Sequence, residues 1–353
     1  MSKKIYKDYF DIGPMIDEAK NNHVCFVVAV SRDAQRGCGK TFSTASYLYE
    51  HFVDEGERFV IFVRHVKELG HIAEGIFGVY LSKNHPEVTI YEKSQEKIFS
   101  CIYATSGKGE EKKSDIIGYV CPLKNAGQLK QYRGMLQASN VKYFYMDEFM
   151  PVDGVYLKDE PKLMKTIYDT VNGEIEDLPI ILTANCISLG NPYFTMLKLN
   201  NKIQSNTRKI STDTVMYENV EVEGLEDKHI NSAANRAFGM DNEEYLSNVW
   251  IGDNDSLKAK PDSTWGHGVY SCTLVYNNNK LAVRKYYNID YTYINRSIDN
   301  GCEYVYNVSL DGDLNIPLLR SSPYLQRLRD DFYAGKVRVS DNGIQRMLLD
   351  IFG

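Results

Sequence analysis

Short apolar segments alternate with amphipathic segments over residues 24–185 of the chain. The apolar, β-branched runs at 24–30 and Arg58–Val63 predict strands that are buried on both faces, and the amphipathic run at 42–53 predicts a helix between them. Strands that alternate with helices favour a parallel sheet covered by helices on both faces. The pattern therefore predicts an α/β fold for this half of the chain.

The same reasoning extends to the remaining apolar and amphipathic runs of this half. Further strands are predicted at 98–104, 115–121, Val141–Met146 and 178–184, with a short partner strand at 88–91, and further helices at 15–20, 125–137 and 161–171.

The pattern changes after about residue 190, where a polar stretch precedes a strand-rich segment. Strands are predicted at Val269–Tyr276, 280–289, 304–310 and Val337–Val339, and helices at 231–238, 323–334 and 343–352. We therefore expect an α/β domain at 1–197, a linker with a small helix at 198–253, and a smaller α+β domain at 254–353.

A glycine-rich loop and a Gly-Lys-Thr sequence follow the first strand directly. Strand, glycine loop and helix with Gly39, Lys40 and Thr41 at the helix start is the context of a phosphate-binding P-loop. Glycine lets backbone N–H groups wrap an anion, and the helix N-terminus adds positive potential. Lys40 is expected to reach the β- and γ-phosphates, and the Thr41 hydroxyl to hold Mg²⁺. Ala34 replaces the first consensus glycine, Gly37 supplies a second flexible point, and an ordinary turn before a core helix is the alternative.

Acidic and amide side chains end two later strands. Asp147 and Glu148 follow the apolar strand Val141–Met146, as in a Walker B sequence, so Asp147 is expected to bind Mg²⁺ and Glu148 to polarise the attacking water. Asn185 ends the next strand and is expected to sense the γ-phosphate or orient water. The alternatives are two solvated acids and an asparagine that starts a turn. Because ligands bind at the carboxyl ends of parallel strands, these side chains should meet Lys40 in one crevice.

The placement of the Walker B strand separates two classes of P-loop protein. Its spacing from Lys40 fits a strand beside the P-loop strand, and an additional strand between the two would indicate an ATPase with a catalytic glutamate rather than a kinase. A nucleotide kinase would also need an arginine-rich lid, and the sequence has no such arginine cluster.

Composition and charge bear on the compartment of the protein and on its classes of partner. The chain has 353 residues, of which 43% are hydrophobic and 25% charged, and a formal net charge of −6, so no global basic field indicates nucleic acid. The 7 cysteines are scattered singly, which favours a reducing compartment over a disulfide framework or a zinc site. No apolar run reaches the roughly 20 residues of a membrane span, and the N-terminus has no apolar core of a secretory signal. We therefore expect no membrane partner and no secretion.

Three sequences together resemble those of the DNA-packaging ATPases of phi29-like bacteriophages, small relatives of the large terminase motors. They are Ala34-Gln-Arg-Gly-Cys-Gly-Lys-Thr41, Tyr145-Met-Asp-Glu-Phe149 and Leu182-Thr-Ala-Asn185. The resemblance implies a P-loop NTPase fold of the ASCE type and an ATP- and Mg²⁺-dependent motor that moves double-stranded DNA into a procapsid through its portal vertex. It implies nucleotide contacts from the loop and the residue after it, namely Ala34, Gln35, Arg36, Gly37, Cys38, Gly39, Lys40, Thr41 and Phe42.

The resemblance also implies a ring of identical subunits, a pentamer, that attaches transiently to the procapsid in the host cytoplasm. A packaging RNA is a further candidate partner. Within the family Arg36 would sense the γ-phosphate in cis, and a neighbouring subunit would donate a basic residue in trans. The stretch 149–185 has lysines but no arginine for that role, so Arg133 and Lys124 are the trans-acting candidates, with Lys130 beside them. An ordinary surface charge is the alternative for each.

For the C-terminal domain the resemblance implies a vestigial ribonuclease-H-like nuclease fold. Two-metal nuclease chemistry needs clustered carboxylates, whereas the predicted hairpin at 269–289 has no Asp or Glu, and Asp290, Asp311 and Asp313 lie beyond strand ends. We expect a docking domain without nuclease activity. The alternative is another DNA-translocating P-loop ATPase, either helicase-like or a terminase with an active nuclease.

Overall fold

A computed structural model describes most of the chain. The described residues are 9–31, 35–107, 113–151, 155–173, 177–185, 191–199, 202–203, 207–225, 227, 258–277, 279–309, 315–319 and 322–352. Contacts divide the chain into two compact units, Met1–Ile187 with Lys202–Trp250, and Ser188–Asn201 with Ile251–Gly353. Among the described residues, no helix combines the length and the apolar character needed to cross a bilayer.

The first unit is built on a nine-stranded sheet. In chain order its strands are β1 (Phe26–Ser31), β2 (Arg58–Val63), β3 (Thr89–Gln95), β4 (Phe99–Ser106), β5 (Lys113–Pro122), β6 (Val141–Met146), β7 (Ile180–Asn185), β8 (Lys209–Ser211) and β9 (Val215–Val220). The spatial order is β3-β4-β5-β2-β6-β7-β1-β9-β8. The six neighbouring strands β5, β2, β6, β7, β1 and β9 pair in parallel. At the two edges of the sheet, β3 and β4 on one side and β8 on the other pair antiparallel.

Helices cover both faces of this sheet, as predicted. The helices of the first unit are α1 (Gly13–Asn21), α2 (Lys40–Glu55), α3 (Ile72–Asn84), α4 (Arg133–Gln137) and α5 (Glu160–Asn172). On one face, α1, α2 and α3 pack against inward residues of the central strands such as Ala29 and Tyr145. On the other face, Phe144 of β6 packs against Tyr168 of α5, with ring centroids 4.8 Å apart. The central strands are therefore buried on both sides, which explains their continuous apolar sequences.

The structure of this unit differs from the sequence predictions in three places. Helix α3 was not predicted, although its buried residues Ala73, Ile76, Phe77, Tyr80 and Leu81 follow the helical period, because Gly75 and Gly78 within it weaken the helical signal. The predicted helix at 125–137 is instead two 3₁₀ turns followed by the short α4, and it contains Gly127 and Gly134, which disfavour a continuous helix.

The third difference concerns the stretch predicted as a linker at 198–253. Its residues Val215–Val220 form β9, which is buried throughout and pairs with β1 along the whole length of both strands. The linker prediction was wrong for these residues because polar side chains within β9 broke the apolar pattern. The predicted helix at 231–238 lies outside the described residues.

The second unit contains a five-stranded sheet and described helices. Its strands are β10 (Val269–Tyr276), β11 (Asn279–Tyr286), β12 (Tyr291–Asn295), β13 (Val305–Asn307) and β14 (Val337–Val339), and its helices are α6 (Pro192–Met196), α7 (Pro323–Tyr333) and α8 (Asn342–Phe352). The order β13-β10-β11-β12-β14 combines an antiparallel meander with two parallel pairs at the edges. Leu328 and Leu348 of the helices pack on Leu274 and Val283 of the sheet. The smaller α+β fold is as expected, although β12 was not predicted, and the ribonuclease-H-like character stays a prediction.

Candidate active site

The carboxyl ends of five adjacent parallel strands form the edge where the predicted site residues meet. In the order β5, β2, β6, β7 and β1, the chain segments at these ends carry Lys124, Arg64, Asp147 with Glu148, Asn185, and Ser31. Strand β7 lies between β1 and β6, so the Walker B strand is not beside the P-loop strand. A further strand between the P-loop strand and the Walker B strand is the arrangement that indicates an ATPase with a catalytic glutamate rather than a kinase.

The P-loop turns on two glycines before it enters α2. Gly37 has φ +81° and Gly39 has φ +100°, both in the left-handed region that other residues avoid. A Cβ on Gly39 would lie 3.2 Å from Cβ of Tyr9, so side-chain volume is also restricted there. The backbone N–H of Phe10 donates to the carbonyl of Cys38 at 2.8 Å. The segment before α1 thus packs against the loop and forms a hydrogen bond with it.

The ammonium group of Lys40 is held inside the loop by polar atoms from two strand ends. Its Nζ donates to Oγ of Ser31 at 2.5 Å and to Oδ1 of Asn185 at 3.3 Å, and lies 3.6 Å from Sγ of Cys38. Ser31 Oγ also donates to Asn185 Oδ1 at 3.3 Å. Lys40 is only 8% exposed. A buried cation with neutral partners is suited to an anionic ligand, because none of these partners cancels its charge.

Asp147 is positioned by hydroxyl groups on both sides. Thr41 Oγ1 donates to its Oδ2 at 2.8 Å, and Thr183 Oγ1 donates to its Oδ1 at 2.6 Å. Tyr145 lies behind them with its hydroxyl 3.0 Å from Thr183 Oγ1. Burial, and then the charge of Asp147, raise the pKa of Tyr145 well above its usual value, so that its hydroxyl stays neutral. The Thr41 hydroxyl and the Asp147 carboxylate are hard oxygen ligands of the kind that Mg²⁺ prefers, and this donor set fits that ion.

Glu148 lies exposed at the same edge, in an unusual backbone conformation. Its φ of +48° is in the left-handed region, which costs a non-glycine residue on the order of 1 kcal/mol. Its N–H donates to Oδ1 of Asp147 at 3.0 Å, and the N–H of Phe149 donates to the carbonyl of Thr183 at 3.2 Å. The turn after β6 therefore leaves the Glu148 side chain exposed to solvent at this edge of the sheet.

The other residues predicted to contact nucleotide differ in burial and in the elements that they contact. Gln35 is buried, and its Oε1 accepts from the N–H of Val222 at 2.8 Å, which ties the loop to the chain after β9. Arg36 is exposed beside Gly37. The ring of Phe42 packs toward α3, 5.5 Å from the ring centroid of Tyr80. Ala34 lies outside the described residues.

The trans-acting candidates are both exposed. Lys124 follows β5, and its N–H donates to the carbonyl of Arg64 at 3.3 Å, so it lies at the same edge of the sheet as the P-loop. Arg133 begins α4 on the surface. Their roles stay predictions.

Sequence reasoning missed four polar residues that organise the site. Ser31 ends the apolar strand β1, and Thr183 lies inside the apolar strand β7, where its hydroxyl looks like an interruption of the pattern. Arg64 and Glu160 form an ion pair that joins β2 to α5, with Arg64 Nη2 3.0 Å from Glu160 Oε1. A polar residue in a strand that is otherwise apolar is the one signal that points to Ser31 and Thr183.

Comparison with known proteins agrees with this geometry. The model of the family described as the podovirus DNA encapsidation protein (Gp16) matches residues 9–352. The chain belongs to this DNA encapsidation family. The family assignment confirms the resemblance to phi29-like packaging proteins that the sequence indicated.

Two relatives and two solved structures match nearly the whole chain. The DNA packaging proteins of Bacillus phages phi29 and PZA are each 24% identical over 333 residues, which cover 90% of this chain and 91% of each relative. The structure of the bacteriophage Phi-29 viral genome packaging motor assembly matches with a TM-score of 0.65 at 21% identity, covering 98% of this chain and 99% of that one. The Phi-28 gp11 DNA packaging motor matches with a TM-score of 0.62 at 15% identity, covering 98% of each chain. The encapsidation protein described here therefore shares its fold with these motor subunits.

Proposed function

We propose that this encapsidation protein is an ATP-hydrolysing motor that moves double-stranded viral DNA into a preformed procapsid. The observation that carries the proposal is the meeting of Lys40, Thr41, Asp147, Glu148 and Asn185 at one edge of a parallel sheet in which β7 separates β1 from β6. This is the arrangement in which an open α/β sheet binds a nucleotide. Membership of the family supplies the link between nucleotide hydrolysis and DNA.

Each side chain has a task in this proposal that follows from its position. Lys40 binds the β- and γ-phosphates, since none of the partners described for its buried ammonium group is a carboxylate. Thr41 and Asp147 hold Mg²⁺, which neutralises phosphate charge when bound. Glu148 takes a proton from the attacking water as general base. Asn185 orients the water or senses the γ-phosphate, and Arg36 on the P-loop senses the γ-phosphate in cis.

The assembly that we infer is a ring, five subunits as the resemblance implies, around the DNA at the portal of the procapsid. In such a ring a neighbour's Lys124 or Arg133 completes the charge around the γ-phosphate. A packaging RNA is a further partner to test. The motor works in the host cytoplasm while it is attached to the procapsid.

For the division of labour, we propose that the ATPase domain runs to the end of β9 rather than to residue 197, and that 254–353 is a docking domain without nuclease activity. Asp290 supports the absence of nuclease activity because Lys285 Nζ lies 2.9 Å from its Oδ1 and Lys336 Nζ lies 2.7 Å from its Oδ2. Among the described residues, no group of three or more His, Cys, Asp or Glu side chains is placed to hold a metal ion.

The proposal is tested by ATP turnover measured with the full-length protein alone, with double-stranded DNA, and with DNA and procapsids together. We expect turnover that rises with DNA and procapsids, and DNA that becomes protected from added nuclease only when ATP is present. The matched control is Lys40→Ala. Turnover that is independent of both DNA and procapsids, with no protected DNA, would contradict the motor function while leaving the ATPase assignment intact.

A further inference from the structure

A fully buried carboxylate lies next to the candidate catalytic turn without belonging to it. Glu160 is the first residue of α5, and its side chain has no exposed surface. Its two oxygens face Arg64 at the end of β2, with Nε to Oε2 at 3.1 Å and Nη2 to Oε1 at 3.0 Å. The Arg64 side chain is 13% exposed. This is a bidentate ion pair, the geometry in which arginine binds carboxylates most strongly.

The remaining hydrogen bonds of the Arg64 guanidinium reach the turn after β6. Its Nη1 donates to the carbonyl of Glu148 at 3.1 Å, and its Nη2 donates to the carbonyl of Phe149 at 2.6 Å. Arg64 therefore holds two consecutive carbonyls of the turn on which Glu148 lies. Because Glu148 is in the left-handed region, this turn needs external contacts to keep its conformation.

Glu160 in turn fixes where the guanidinium can lie. Its Oε2 also accepts from the N–H of Leu157 at 2.8 Å, which anchors the carboxylate to the chain before α5. The ring of Tyr156 lies 5.5 Å from Cζ of Arg64 and limits movement on that side. Glu160 thus connects the N-terminus of α5, through Arg64, to the backbone of Glu148.

Stability alone is a weak reason for such a pair. Taking two charges out of water is unfavourable, and well-packed apolar residues of similar volume often replace buried ion pairs without loss of stability. The fixed fork of arginine does something that apolar residues cannot do, since it directs several N–H groups at once toward acceptors on different segments.

We propose that Glu160 is a positioning residue for ATP hydrolysis, which acts by holding Arg64 against the carbonyls of Glu148 and Phe149. The inference rests on the proposed ATPase function and adds a residue to it. Loss of the pair frees the turn, and Glu148 then no longer holds its carboxylate where the attacking water binds. A displacement of about 1 Å in a reacting group can lower the rate about 100-fold.

The test compares Glu160→Gln with wild type. Glutamine keeps the acceptor for the Leu157 N–H but removes the charge that holds Arg64. We expect kcat to fall between about 10- and 100-fold, with the affinity for ATP–Mg²⁺ unchanged, because the P-loop and Asp147 are untouched. The binding stoichiometry from calorimetry normalises kcat to the folded fraction.

Asp159→Asn is the matched control. Asp159 is the residue before Glu160 and pairs with the exposed Lys162 at 3.0 Å. Its φ is +57°, which asparagine tolerates.

A second variant covers the case in which Glu160→Gln does not fold. Arg64→Lys keeps the positive charge beside Glu160 but cannot reach the carboxylate and both carbonyls together. It should show the same selective loss of kcat, and combining it with Glu160→Gln should add little further loss, since both changes break one connection.

The results separate this inference from the function on which it rests. Wild-type protein that hydrolyses ATP, together with a Glu160→Gln or Arg64→Lys variant whose kcat matches that of Asp159→Asn, would overturn the positioning role alone. A fall in ATP affinity that parallels the fall in kcat would also overturn it, because the pair would then support the fold of the whole site. Wild-type protein without ATPase activity would overturn the proposed function itself.

Discussion

At the scale of single residues, neutral groups hold the charged groups of the site in place. Ser31 and Asn185 contact the Lys40 ammonium, and Thr183 donates to the Asp147 carboxylate. None of these contacts neutralises the charge that it orients. The charges of Lys40 and Asp147 are therefore available to phosphate and to metal ion.

Lys40→Ala should abolish ATP binding while leaving the fold intact. The loop would lose the buried ammonium that faces the β- and γ-phosphates, and alanine is a good helix former at this first position of α2. The measurement is a calorimetric titration with ATP and Mg²⁺, with the exposed Lys165→Ala as control. Unchanged nucleotide affinity in the Lys40 variant would refute the assignment of the P-loop.

Glu148→Gln should bind ATP–Mg²⁺ normally but hydrolyse it at least about 100-fold more slowly, the usual scale for a missing general base. Glutamine has the same shape and can adopt the same turn, but it cannot accept the proton from water. Single-turnover hydrolysis, combined with a binding titration, separates the two effects. Near-normal turnover would mean that the general base lies elsewhere.

Thr183→Val tests whether a buried hydroxyl controls the metal site. The substitution removes the hydrogen bond to Asp147 Oδ1 at 2.6 Å and keeps a β-branched residue in β7. Loss of a partner that orients a metal ligand typically costs 10- to 100-fold in metal affinity, so the Mg²⁺ concentration for half-maximal turnover should rise about 10-fold or more. Thr166→Val on α5, whose hydroxyl bonds only to its own helix at the carbonyl of Lys162, is the control. An equal Mg²⁺ requirement in both variants would remove Thr183 from the site.

At the scale of elements, the order of the strands brings the site together. Strand β7 enters between β1 and β6, so Asn185 and Thr183 lie between the P-loop and Asp147. Strand β9 pairs with the edge of β1 that faces away from β7. The chain after β9 donates a hydrogen bond to Gln35 of the P-loop. The loop is thus supported by residues that lie far apart along the sequence.

Close packing between β2 and β5 gives a prediction at this scale. A Cβ on Gly118 of β5 would lie 2.6 Å from Cε2 of Phe59 and 2.7 Å from its carbonyl oxygen. Gly118→Ala should therefore destabilise the protein by about 1–3 kcal/mol, the usual cost of overpacking. The measurement is the urea midpoint of the full chain.

Gly75→Ala is the matched control for this change. Gly75 lies in α3 with no heavy atom within 4 Å of the added Cβ, and alanine in a helix is favoured over glycine by roughly 0.5–1 kcal/mol. We expect opposite shifts of the midpoint in the two variants. A Gly118→Ala variant as stable as wild type would show that the two strands can separate to admit a methyl group.

At the scale of the whole molecule, the charges of the second unit bear on whether the protein cuts DNA. Hydrogen bonds from Lys336 and then Lys285 lower the pKa of Asp290 to about 2. A carboxylate engaged by two ammonium groups is a poor metal ligand, since the metal would have to displace both. Asp311 and Asp313, the other predicted candidates, lie outside the described residues.

The full-length protein should therefore leave linear double-stranded DNA intact in the presence of Mn²⁺. Two-metal cleavage needs carboxylates that share a pair of ions, and the described residues offer no such cluster. The measurement is gel analysis of DNA after incubation with wild type and with Asp290→Ala and Asp311→Ala. Cleavage by wild type that disappears in either variant would show an active nuclease, and the function would shift toward a terminase that cuts as well as packages.

The sequence by itself determined the features whose signals are local. The strands β1, β2, β6 and β7 are largely apolar runs, the Gly-Lys-Thr sequence ends the loop after β1, and Asp-Glu follows β6 directly. The fold class and the charged residues of the candidate site could therefore be predicted. The physical reason is that burial on both faces and the geometry of a P-loop each require particular residue types at adjacent positions.

Only the tertiary structure decided which distant segments meet. Strand β9 pairs with β1 although polar residues interrupt its apolar pattern, and α3 packs against the sheet although two glycines weaken its helical signal. Thr183 and the Arg64–Glu160 pair gain their partners from the order β2-β6-β7 and from the position of α5, which no local pattern encodes. A buried hydroxyl or ion pair can be recognised only when its partner is known, and strand pairing, rather than sequence spacing, selects that partner.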